Sequence, residues 1–245
     1  MSFDPVADRY DETRGGVDRG RRLAGIVRPW LAPGSTVEVG VGTGLVATAL
    51  RAGGRDVLGV DLSPAMLAHA YRRMGARVAV GDARCLPLRA RSCDNVLFVA
   101  ALHAIRDVRA AFAEAARVLR PGGRVVVLAA PDDDAPVPGD DVYISLLSEL
   151  PPHKRVVPPA VVGDAAAAAG LRPVASEPVT IGPMPQTPNQ VADDIETRTW
   201  SNLWNVDGVV WARTVEPVIA RLRAMPHPDE PRERPFAMHL SVFER

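Results

Sequence analysis

Regular alternation between two hydrophobic periods through the first 130 residues limits the fold more than any other feature of the chain. Short apolar runs rich in β-branched residues are typical of buried strands, and the alanine-rich stretches between them have helical spacing. Strands that alternate with helices at this pitch indicate parallel βαβ units, with helices on both faces of the sheet. Strands are predicted at Thr36–Val41, Asp56–Val60, Arg77–Val80, Asn95–Val99 and Arg124–Leu128, and helices at Leu45–Arg51, Pro64–Met74 and Val108–Leu119.

Turn residues support these boundaries. Ser63 followed by Pro64 predicts an N-cap and a first-turn proline for the second helix. The pair at 53–54 (Gly-Gly) is expected to close the first helix, and the run 120–123 (Arg-Pro-Gly-Gly) to turn into the fifth strand.

The regular alternation ends at Ala130. The segment 131–141 holds five aspartates and three prolines, which predicts a solvated loop. The chain is expected to be a single domain of 1–245, with a core at 1–130, cap or substrate elements at 131–160 and 183–235, and a last strand at 236–245. Further helices are predicted at Val142–Leu150, Pro158–Gly170, Gln190–Trp204 and Val209–Met225, with strands near Pro173–Ile181 and at Phe236–Phe243.

Composition excludes several classes of protein. Lys and Arg number 29, as do Asp and Glu, and a zero net charge argues against binding through nucleic-acid phosphates. Cys85 and Cys93 are too few for a disulfide scaffold or a zinc cluster, and we expect both to be buried and inert. The longest apolar run, Val96 to Leu102, is far shorter than the ~20 residues that span a bilayer. A polar, acidic start without a secretory signal leads us to expect a cytoplasmic protein with no membrane span.

A glycine-rich turn separates the first strand from the first helix. Residues 37–44 read Val-Glu-Val-Gly-Val-Gly-Thr-Gly, and glycines allow ligand atoms to approach the backbone where a Cβ would clash. Dinucleotide-binding folds use a related turn, but with two residues between the second and third glycines. Asp61 ends the second strand, where a carboxylate can accept hydrogen bonds from ribose hydroxyls, and Asp82 after the third strand suits an adenine amine.

These motifs resemble those of the class I S-adenosylmethionine-dependent methyltransferases, especially the branch that includes the ubiquinone and menaquinone C-methyltransferases. Relatives often carry two histidines after Ala-Leu, whereas His103 is followed here by Ala104. Any role that needs the second histidine is therefore absent. Further matches, which cover about residues 3 to 130, are Phe3, Asp4, Ala7, Tyr10, Asp11 and Arg14 near the start, the run from Asp61 to Pro64 with Met66 and Leu67, Leu86-Pro87, Ala101-Leu102-His103, and the run from Arg117 to Gly123.

The resemblance implies an α/β fold of the Rossmann-like, doubly wound type. Its seven-stranded sheet would be mostly parallel, with an antiparallel last strand and a helical cap over the carboxyl ends of the strands. The implied cofactor is S-adenosylmethionine, which becomes S-adenosylhomocysteine. The resemblance implies that Glu38, Gly40, Gly42 and Gly44 would contact the methionine and ribose of the cofactor, and that Asp61 would accept from the ribose hydroxyls. The adenine would lie against Leu62, Met66, Asp82 and Ala83. Val99 and Ala100 would line the methionyl part, and Tyr10 and Arg14 would close over its carboxylate.

His103 is the candidate catalytic residue. At the carboxyl end of a strand it can act as a general base on a phenol or an amine, or it can cap the next helix or fill a pocket wall. His239 alternates with apolar neighbours, which favours a structural role.

Trp200 and Trp204 are four residues apart, so they are predicted to share a helix face. They are candidate substrate contacts as an aromatic lid, or anchors of the insertion to the core or to a second subunit. Arg198 beside them can meet a substrate anion or a salt-bridge partner.

No metal site is predicted. The run at 132–134 (Asp-Asp-Asp) could belong to a metal-dependent site like that of catechol-type methyltransferases. Such a site also needs acidic ligands after the fourth strand, where this chain has Ala100 and Ala101. A solvated loop is the better interpretation of the aspartate run.

The predicted function is methyl transfer to a small, largely apolar acceptor in specialised (natural-product) metabolism, by in-line displacement. We expect a monomer or homodimer with a small-molecule substrate and no nucleic-acid partner, since no Asn/Asp-Pro-Pro-Tyr/Phe tetrad occurs. Two alternatives stay open: a cofactor-assisted cyclase or rearrangement catalyst, and a non-catalytic cofactor-binding protein.

Overall fold

The computed structural model describes residues 4–13, 15–130, 141–151, 156–183, 185–232 and 235–245. The strands of these residues are β1 (Ser35–Val39), β2 (Asp56–Asp61), β3 (Val78–Val80), β4 (Cys93–Val99), β5 (Leu119–Ala129), β6 (Arg172–Pro183) and β7 (Pro235–Glu244). They form one seven-stranded sheet in the order β3-β2-β1-β4-β5-β7-β6.

Strands β1 to β5 pair in parallel, and β7 is antiparallel to β5. The mostly parallel α/β sheet with an antiparallel last strand, which the resemblance implied, is confirmed. The turn predicted at 120–123 is wrong in part, because these residues lie within β5, where the pairing with β4 shifts register between Cys93 and Asn95. Gly122 there has a φ of 76°, which favours glycine at such an irregularity.

The helices flank the sheet in the first part of the chain and dominate the part between β6 and β7. Those predicted for the first 130 residues are confirmed to within one residue at their carboxyl ends. The α-helices are α1 (Tyr10–Thr13), α2 (Gly16–Val27), α3 (Leu45–Ala52), α4 (Pro64–Met74), α5 (Val108–Val118), α6 (Asp141–Ser148), α7 (Pro159–Ala168), α8 (Pro188–Glu196), α9 (Gly208–Val210) and α10 (Glu216–Arg223), with 3₁₀ turns at Asp4–Arg9, Arg28–Trp30, Leu102–Ala104 and Ser201–Leu203 and a π-helical turn at Trp211–Val215.

Local capping explains where α4 and α5 begin. The Ser63 hydroxyl accepts a hydrogen bond from the Met66 N–H at 3.1 Å, which confirms the predicted N-cap. Asp107 plays the same part for α5, since its carboxylate accepts from the Ala110 N–H at 3.0 Å.

The amino-terminal helix α2 was not predicted from the sequence. It packs closely on α3 because Gly20 lacks a side chain: a Cβ there would stand 2.8 Å from the Leu45 Cβ. The buried face of α2 consists of Gly20, Leu23, Ala24 and Val27.

One hydrophobic core joins the sheet to α5 and α7. At its centre the rings of Phe98 (β4) and Phe112 (α5) stack with centroids 5.9 Å apart, and Phe112 meets the edge of Phe243 (β7) at 6.0 Å. Burial of one such side chain stabilises the fold by about 1.5–3 kcal/mol.

The chain divides into two compact units. Unit 1 comprises Met1–Asp133, Val157–Val179 and Met238–Arg245, and unit 2 comprises Asp134–Val156 and Thr180–Ala237. Unit 2 has its own core, in which Tyr143, Ile195, Leu203 and Leu222 are fully buried.

Two further sequence predictions are wrong, one in each unit. In unit 2, the helix predicted at Gln190–Trp204 ends at Glu196. Thr197 and Arg198 leave the helix, and Arg198 has a φ of 51°. Cys85 in unit 1 is exposed, contrary to prediction, because it lies in a surface loop after β3. Cys93 is buried as expected, and burial raises the pKa of its thiol to about 11.

None of the described helices combines the length and apolar character needed to cross a membrane.

Candidate functional site

A cavity of about 350 Å³ lies at the carboxyl ends of β1, β2, β3 and β4 in unit 1. The strand order reverses between β1 and β4, and open α/β sheets bind ligands at such a switch point. Its lining residues come from four strand ends and the amino-terminal segment: Asp4, Tyr10, Val39, Gly40, Gly42, Asp61, Leu62, Ser63, Met66, Gly81, Asp82, Ala83, Arg84, Ala100, Ala101, His103, Ala104, Ile105 and Arg106.

Ten of the predicted cofactor and catalytic residues line this cavity, and five of the other predicted site residues that the structure describes do not. Arg14 lies outside the described residues. Glu38 and Val99 belong to β1 and β4, and Gly44 is the N-cap of α3. Trp200 and Trp204 belong to unit 2. The residues that line it as predicted are Tyr10, Gly40, Gly42, Asp61, Leu62, Met66, Asp82, Ala83, Ala100 and His103.

The glycine-rich turn brings backbone, not side chain, to the cavity. The N–H groups of Gly40 and Val41 donate to the Val60 carbonyl at 2.8 and 3.1 Å, which anchors the turn to β2. Gly40 has a φ of 74°, and a Cβ on it would stand 2.6 Å from the Ala101 Cβ. Gly42 has a φ of 55°, and its Cβ would stand in open space more than 4 Å from the described atoms. A ligand can therefore approach the chain at Gly42.

Gly44 is required for a different reason. It is the N-cap of α3 with a φ of 83°. A Cβ there would lie 3.1 Å from the Met74 sulfur and 3.2 Å from Ala70, both on α4. Its position therefore serves the close packing of α3 on α4.

Asp61 is fixed between two backbone donors at the end of β2. One carboxylate oxygen accepts from the Gly42 N–H at 2.8 Å, and the other accepts from the Ser63 N–H at 2.9 Å. A carboxylate offers about four lone-pair sites, so each oxygen retains capacity for a further donor such as a hydroxyl. The side chain is thereby positioned to accept hydrogen bonds within the cavity.

Asp82 is paired with a residue that the sequence analysis missed. The Arg84 guanidinium donates to both carboxylate oxygens, with the shortest contact at 2.6 Å, and the Arg84 N–H donates as well at 2.8 Å. These hydrogen bonds lower the pKa of Asp82, so its carboxylate stays ionised. An arginine two residues after the acid is the signal that could have revealed the pair.

The end of β4 has a strained backbone. Ala100 has a φ of 50° and its N–H donates to the Leu128 carbonyl at 2.8 Å. A left-handed conformation at a residue other than glycine costs roughly 1–3 kcal/mol and occurs preferentially at functional sites. His103 follows on a 3₁₀ turn and is half-buried at the cavity wall. Ala104, Ile105 and Arg106 extend this wall.

The amino-terminal segment is held by its carboxylates. Asp4 accepts from the Ser63 hydroxyl, and Asp11 accepts from the Thr43 hydroxyl and from Arg73 on α4. Since Asp4 and Tyr10 line the cavity, these contacts fix one of its walls. An exposed Asp8 adds a contact of 3.0 Å to His69 on α4.

Glu38 is buried behind the glycine-rich turn, with only 2% of its surface exposed. Burial raises its pKa to about 8, an effect increased by the charge of Asp61 and reduced by a hydrogen bond from the Ala47 N–H. It is not a lining residue, although its chain neighbours Val39 and Gly40 are.

The tryptophans form part of the architecture of unit 2. Trp200 is extended and 9% exposed in the core of this unit, and Trp204 lies beyond the 3₁₀ turn, so the predicted shared helix face is wrong. The Trp204 Nε1–H donates to the Arg198 carbonyl at 2.8 Å. Arg198 donates to the Leu203 carbonyl at 2.8 Å and lies 4.1 Å from the Trp211 ring centroid. Their role as substrate contacts stays a prediction.

The aspartate run at 132–134 lies outside the described residues. Among the residues that the structure does describe, no three His, Cys, Asp or Glu side chains converge to hold a metal ion.

Comparisons with known proteins agree in one family. A family model described as a methyltransferase domain matches residues 37–127. A ubiquinone/menaquinone biosynthesis C-methyltransferase of Syntrophotalea carbinolica is 36% identical over 51% of this chain and 58% of its own length. A demethylmenaquinone methyltransferase of Corynebacterium efficiens is 36% identical over 63% of this chain and 69% of its own length. The chain thus spans between half and three quarters of these relatives.

The fold also matches solved structures. The (4+2)-cyclase SpnF is 19% identical and aligns over 99% of this chain and 94% of that one, with a TM-score of 0.63. At such low identity the likeness shows the fold alone.

Proposed function

This chain belongs to the class I S-adenosylmethionine-dependent methyltransferases, and we propose that it transfers a methyl group to a small, largely apolar acceptor in natural-product metabolism. The observation that supports this most is the convergence of the glycine-rich turn, Asp61 and Asp82 on one cavity at the switch point of the sheet. The products would be the methylated acceptor and S-adenosylhomocysteine.

The cavity fits this cofactor. The open space at Gly42 admits a ligand against the backbone, and Asp61 can accept from ribose hydroxyls while it holds the turn. Ionised Asp82 can accept from an amine on the adenine edge, with Leu62 and Met66 as apolar neighbours. Tyr10 and Arg14 are proposed to close over the cofactor carboxylate, and Ala83 and Ala100 to complete the walls.

The chemistry asks the protein mainly for positioning. When bound, the cofactor supplies a methyl group on a positively charged sulfur that leaves readily, so in-line displacement needs little covalent help. Holding donor and acceptor in line can supply on the order of 7–11 kcal/mol. The Gly40 and Val41 N–H groups anchor the turn to β2, and this anchoring would help to hold the donor in place.

His103 is the residue proposed to accept a proton where the acceptor must lose one. It lies on the cavity wall at the end of β4. For such an acceptor, His103→Gln should lower turnover about 10²–10⁴-fold while the dissociation constant of the cofactor stays unchanged. Equal turnover in wild type and variant would leave His103 as a wall residue.

The acceptor is proposed to be small and largely apolar because four of the six residues that line the cavity after β4 are apolar. These are Ala100, Ala101, Ala104 and Ile105, beside His103 and Arg106. By their names, the relatives described above are a ubiquinone/menaquinone biosynthesis C-methyltransferase and a demethylmenaquinone methyltransferase. Because His103 is followed by Ala104, we propose no role for a second histidine at this wall.

Calorimetric titration with S-adenosylmethionine and S-adenosylhomocysteine tests the cofactor site. We expect Asp61→Ala to abolish measurable binding of both. Asp56→Ala is the matched control, since Asp56 lies at the opposite end of β2, exposed and paired with Arg77 at 3.0 Å, and it should bind like wild type. Absence of binding by wild type would overturn the proposal.

A cyclase or rearrangement catalyst on the same cofactor site is the second candidate, since the (4+2)-cyclase SpnF shares the fold. Mass spectrometry of the product separates the two. A product heavier by one methylene, with S-adenosylhomocysteine released, supports methyl transfer. An isomeric product with intact cofactor supports the cyclase, and tight binding without any turnover indicates a non-catalytic protein.

A further inference from the structure

Buried polar atoms without a hydrogen-bond partner occur on β1 and on α3. Glu38 is 2% exposed, and its Oε2 atom has no hydrogen-bond partner among the described residues. The same holds for the buried Oγ1 atoms of Thr36 and Thr48. Buried polar atoms without partners are rare in native proteins and each calls for an explanation.

The three side chains come from adjoining positions. Thr36 is two residues before Glu38, so both point to the same face of β1. Thr48 follows Ala47, whose N–H donates to the Glu38 carboxyl. Neither hydroxyl hydrogen-bonds the carboxyl in the structure, so the Ala47 N–H is its one recorded donor among the described residues and the carboxyl uses only part of its capacity.

Few charges act on Glu38. Its cross-strand neighbours are Gly59 on β2 and Leu97 on β4, which are both apolar. The charge that acts on it is that of Asp61, which is also negative. The Arg51 side chain of α3 donates to the Met74 carbonyl at 3.2 Å, and α2 presents an apolar face.

These surroundings favour the neutral acid in the protein without ligand. Burial raises the pKa of Glu38 to about 8, so at neutral pH the carboxyl holds a proton. The next two residues, Val39 and Gly40, line the cavity. A positive charge placed in the cavity would act on Glu38 through protein, where screening is weaker than in water.

We propose that Glu38 is a positioning residue that releases its proton to solvent when a positively charged ligand enters the cavity, so that S-adenosylmethionine binding is coupled to proton release. The inference rests on the proposed use of this cofactor. The O–H bond of the carboxyl breaks, the proton passes to buffer, and no bond to the ligand forms. The Ala47 N–H donates to the carboxylate that remains.

The sulfur charge gives the proposal its selectivity. S-adenosylmethionine carries a sulfonium, whereas the sulfur of S-adenosylhomocysteine is neutral. Proton release should therefore be larger for the substrate than for the product, and a rise in pH should favour the substrate in competition between them.

Calorimetry at neutral pH in two buffers of different ionisation enthalpy measures the protons released. Wild type should release roughly half to one proton with S-adenosylmethionine and clearly fewer with S-adenosylhomocysteine. Glu38→Gln should release fewer protons with S-adenosylmethionine than wild type does, by about the amount assigned to Glu38. The ligand α-amino group titrates equally with both proteins, so the difference between them belongs to Glu38.

A pH profile distinguishes this role from a merely structural one. In wild type, the dissociation constant of S-adenosylmethionine should fall by up to about tenfold for each pH unit as the pH is raised towards 8. The profile of Glu38→Gln should be flatter. Thr214→Val, at a half-buried position in unit 2, is a control that should keep the wild-type profile.

Three results have distinct meanings. Equal proton release by wild type and Glu38→Gln overturns the inference. Failure of wild type to bind either ligand overturns the proposed function instead. If Glu38→Gln does not fold, infrared difference spectra of wild type decide: the band of a protonated carboxyl should disappear on addition of S-adenosylmethionine, and its persistence overturns the inference.

Discussion

The two sides of the glycine-rich turn look alike in the sequence and differ in the structure. On the cavity side, Gly42 leaves open space and its N–H is held by Asp61. On the packing side, Gly44 packs closely against α4, and the Glu38 side chain of β1 is buried and accepts a hydrogen bond from α3. One half of the motif therefore leaves space beside the cavity, where we propose that the ligand binds, and the other half serves helix packing.

The largest expected effect tests the packing side. Gly44→Ala adds a Cβ 3.1 Å from the Met74 sulfur at a φ of 83°, so we expect the free energy of unfolding to fall by about 2–5 kcal/mol. Gly54→Ala is the matched control, because its φ is 84° but its Cβ would meet open space. Urea unfolding should show the smaller loss for Gly54→Ala. Equal losses would mean that backbone strain alone requires glycine at 44.

The next effect tests the cavity side. Gly42→Ala should destabilise the fold only about as much as Gly54→Ala, since both lack steric neighbours. Its Cβ would enter the space offered to the ligand, so we expect the dissociation constant of S-adenosylhomocysteine to rise on the order of tenfold or more. Calorimetric titration measures this, and unchanged affinity would show that the ligand does not approach the turn at Gly42.

The stability of Glu38→Gln sharpens the comparison through pH. The pKa of Glu38 rises from 4.5 in the unfolded chain to about 8 in the fold. Between these values the folded protein keeps a proton that the unfolded chain loses, so the free energy of unfolding falls as pH rises, by up to about 1.4 kcal/mol per pH unit. Glu38→Gln should lack this contribution and gain stability relative to wild type towards pH 8.

Urea unfolding at several pH values measures this slope. Glu216→Gln, at the exposed start of α10, should keep the slope of wild type. Parallel curves for wild type and Glu38→Gln would show that Glu38 does not titrate in this range.

The smallest effect concerns the Asp82–Arg84 pair. Both side chains are partly exposed, and such ion pairs contribute little. Arg84→Gln should change the dissociation constant of the cofactor by only about twofold at neutral pH. Because Arg84 lowers the pKa of Asp82, the variant should lose affinity at a higher pH than wild type when the solution is acidified. Titrations across the acidic range check this shift.

Sequence periodicity predicted the sheet well because the strands of a parallel sheet are buried on both faces and read as continuous apolar runs. Val96, Leu97 and Phe98 of β4 are fully buried, as such a run requires. Irregular elements were harder. The left-handed Arg198 ends a helix without a glycine or proline to announce it, which misplaced Trp200 and Trp204.

The candidate site was predicted where a motif has a fixed place at a strand end. Asp61 and Asp82 are such residues, and both line the cavity. Side-chain partners across loops carry no periodic signal, so Arg84 was missed. The same limit applies to Gly44, since only the fold reveals that α4 rather than a ligand lies against it.

The position of β7 has a consequence for how the chain folds. This strand lies between β5 and β6, and its Glu244 pairs with Arg124, so all of unit 2 is synthesised before that pairing can form. A nascent chain emerging from the ribosome can assemble β1 to β5 early, but β6 has no place in the sheet until β7 arrives. Such long-range closure is slow, and it exposes the edge of β5 to unwanted pairing in the interval.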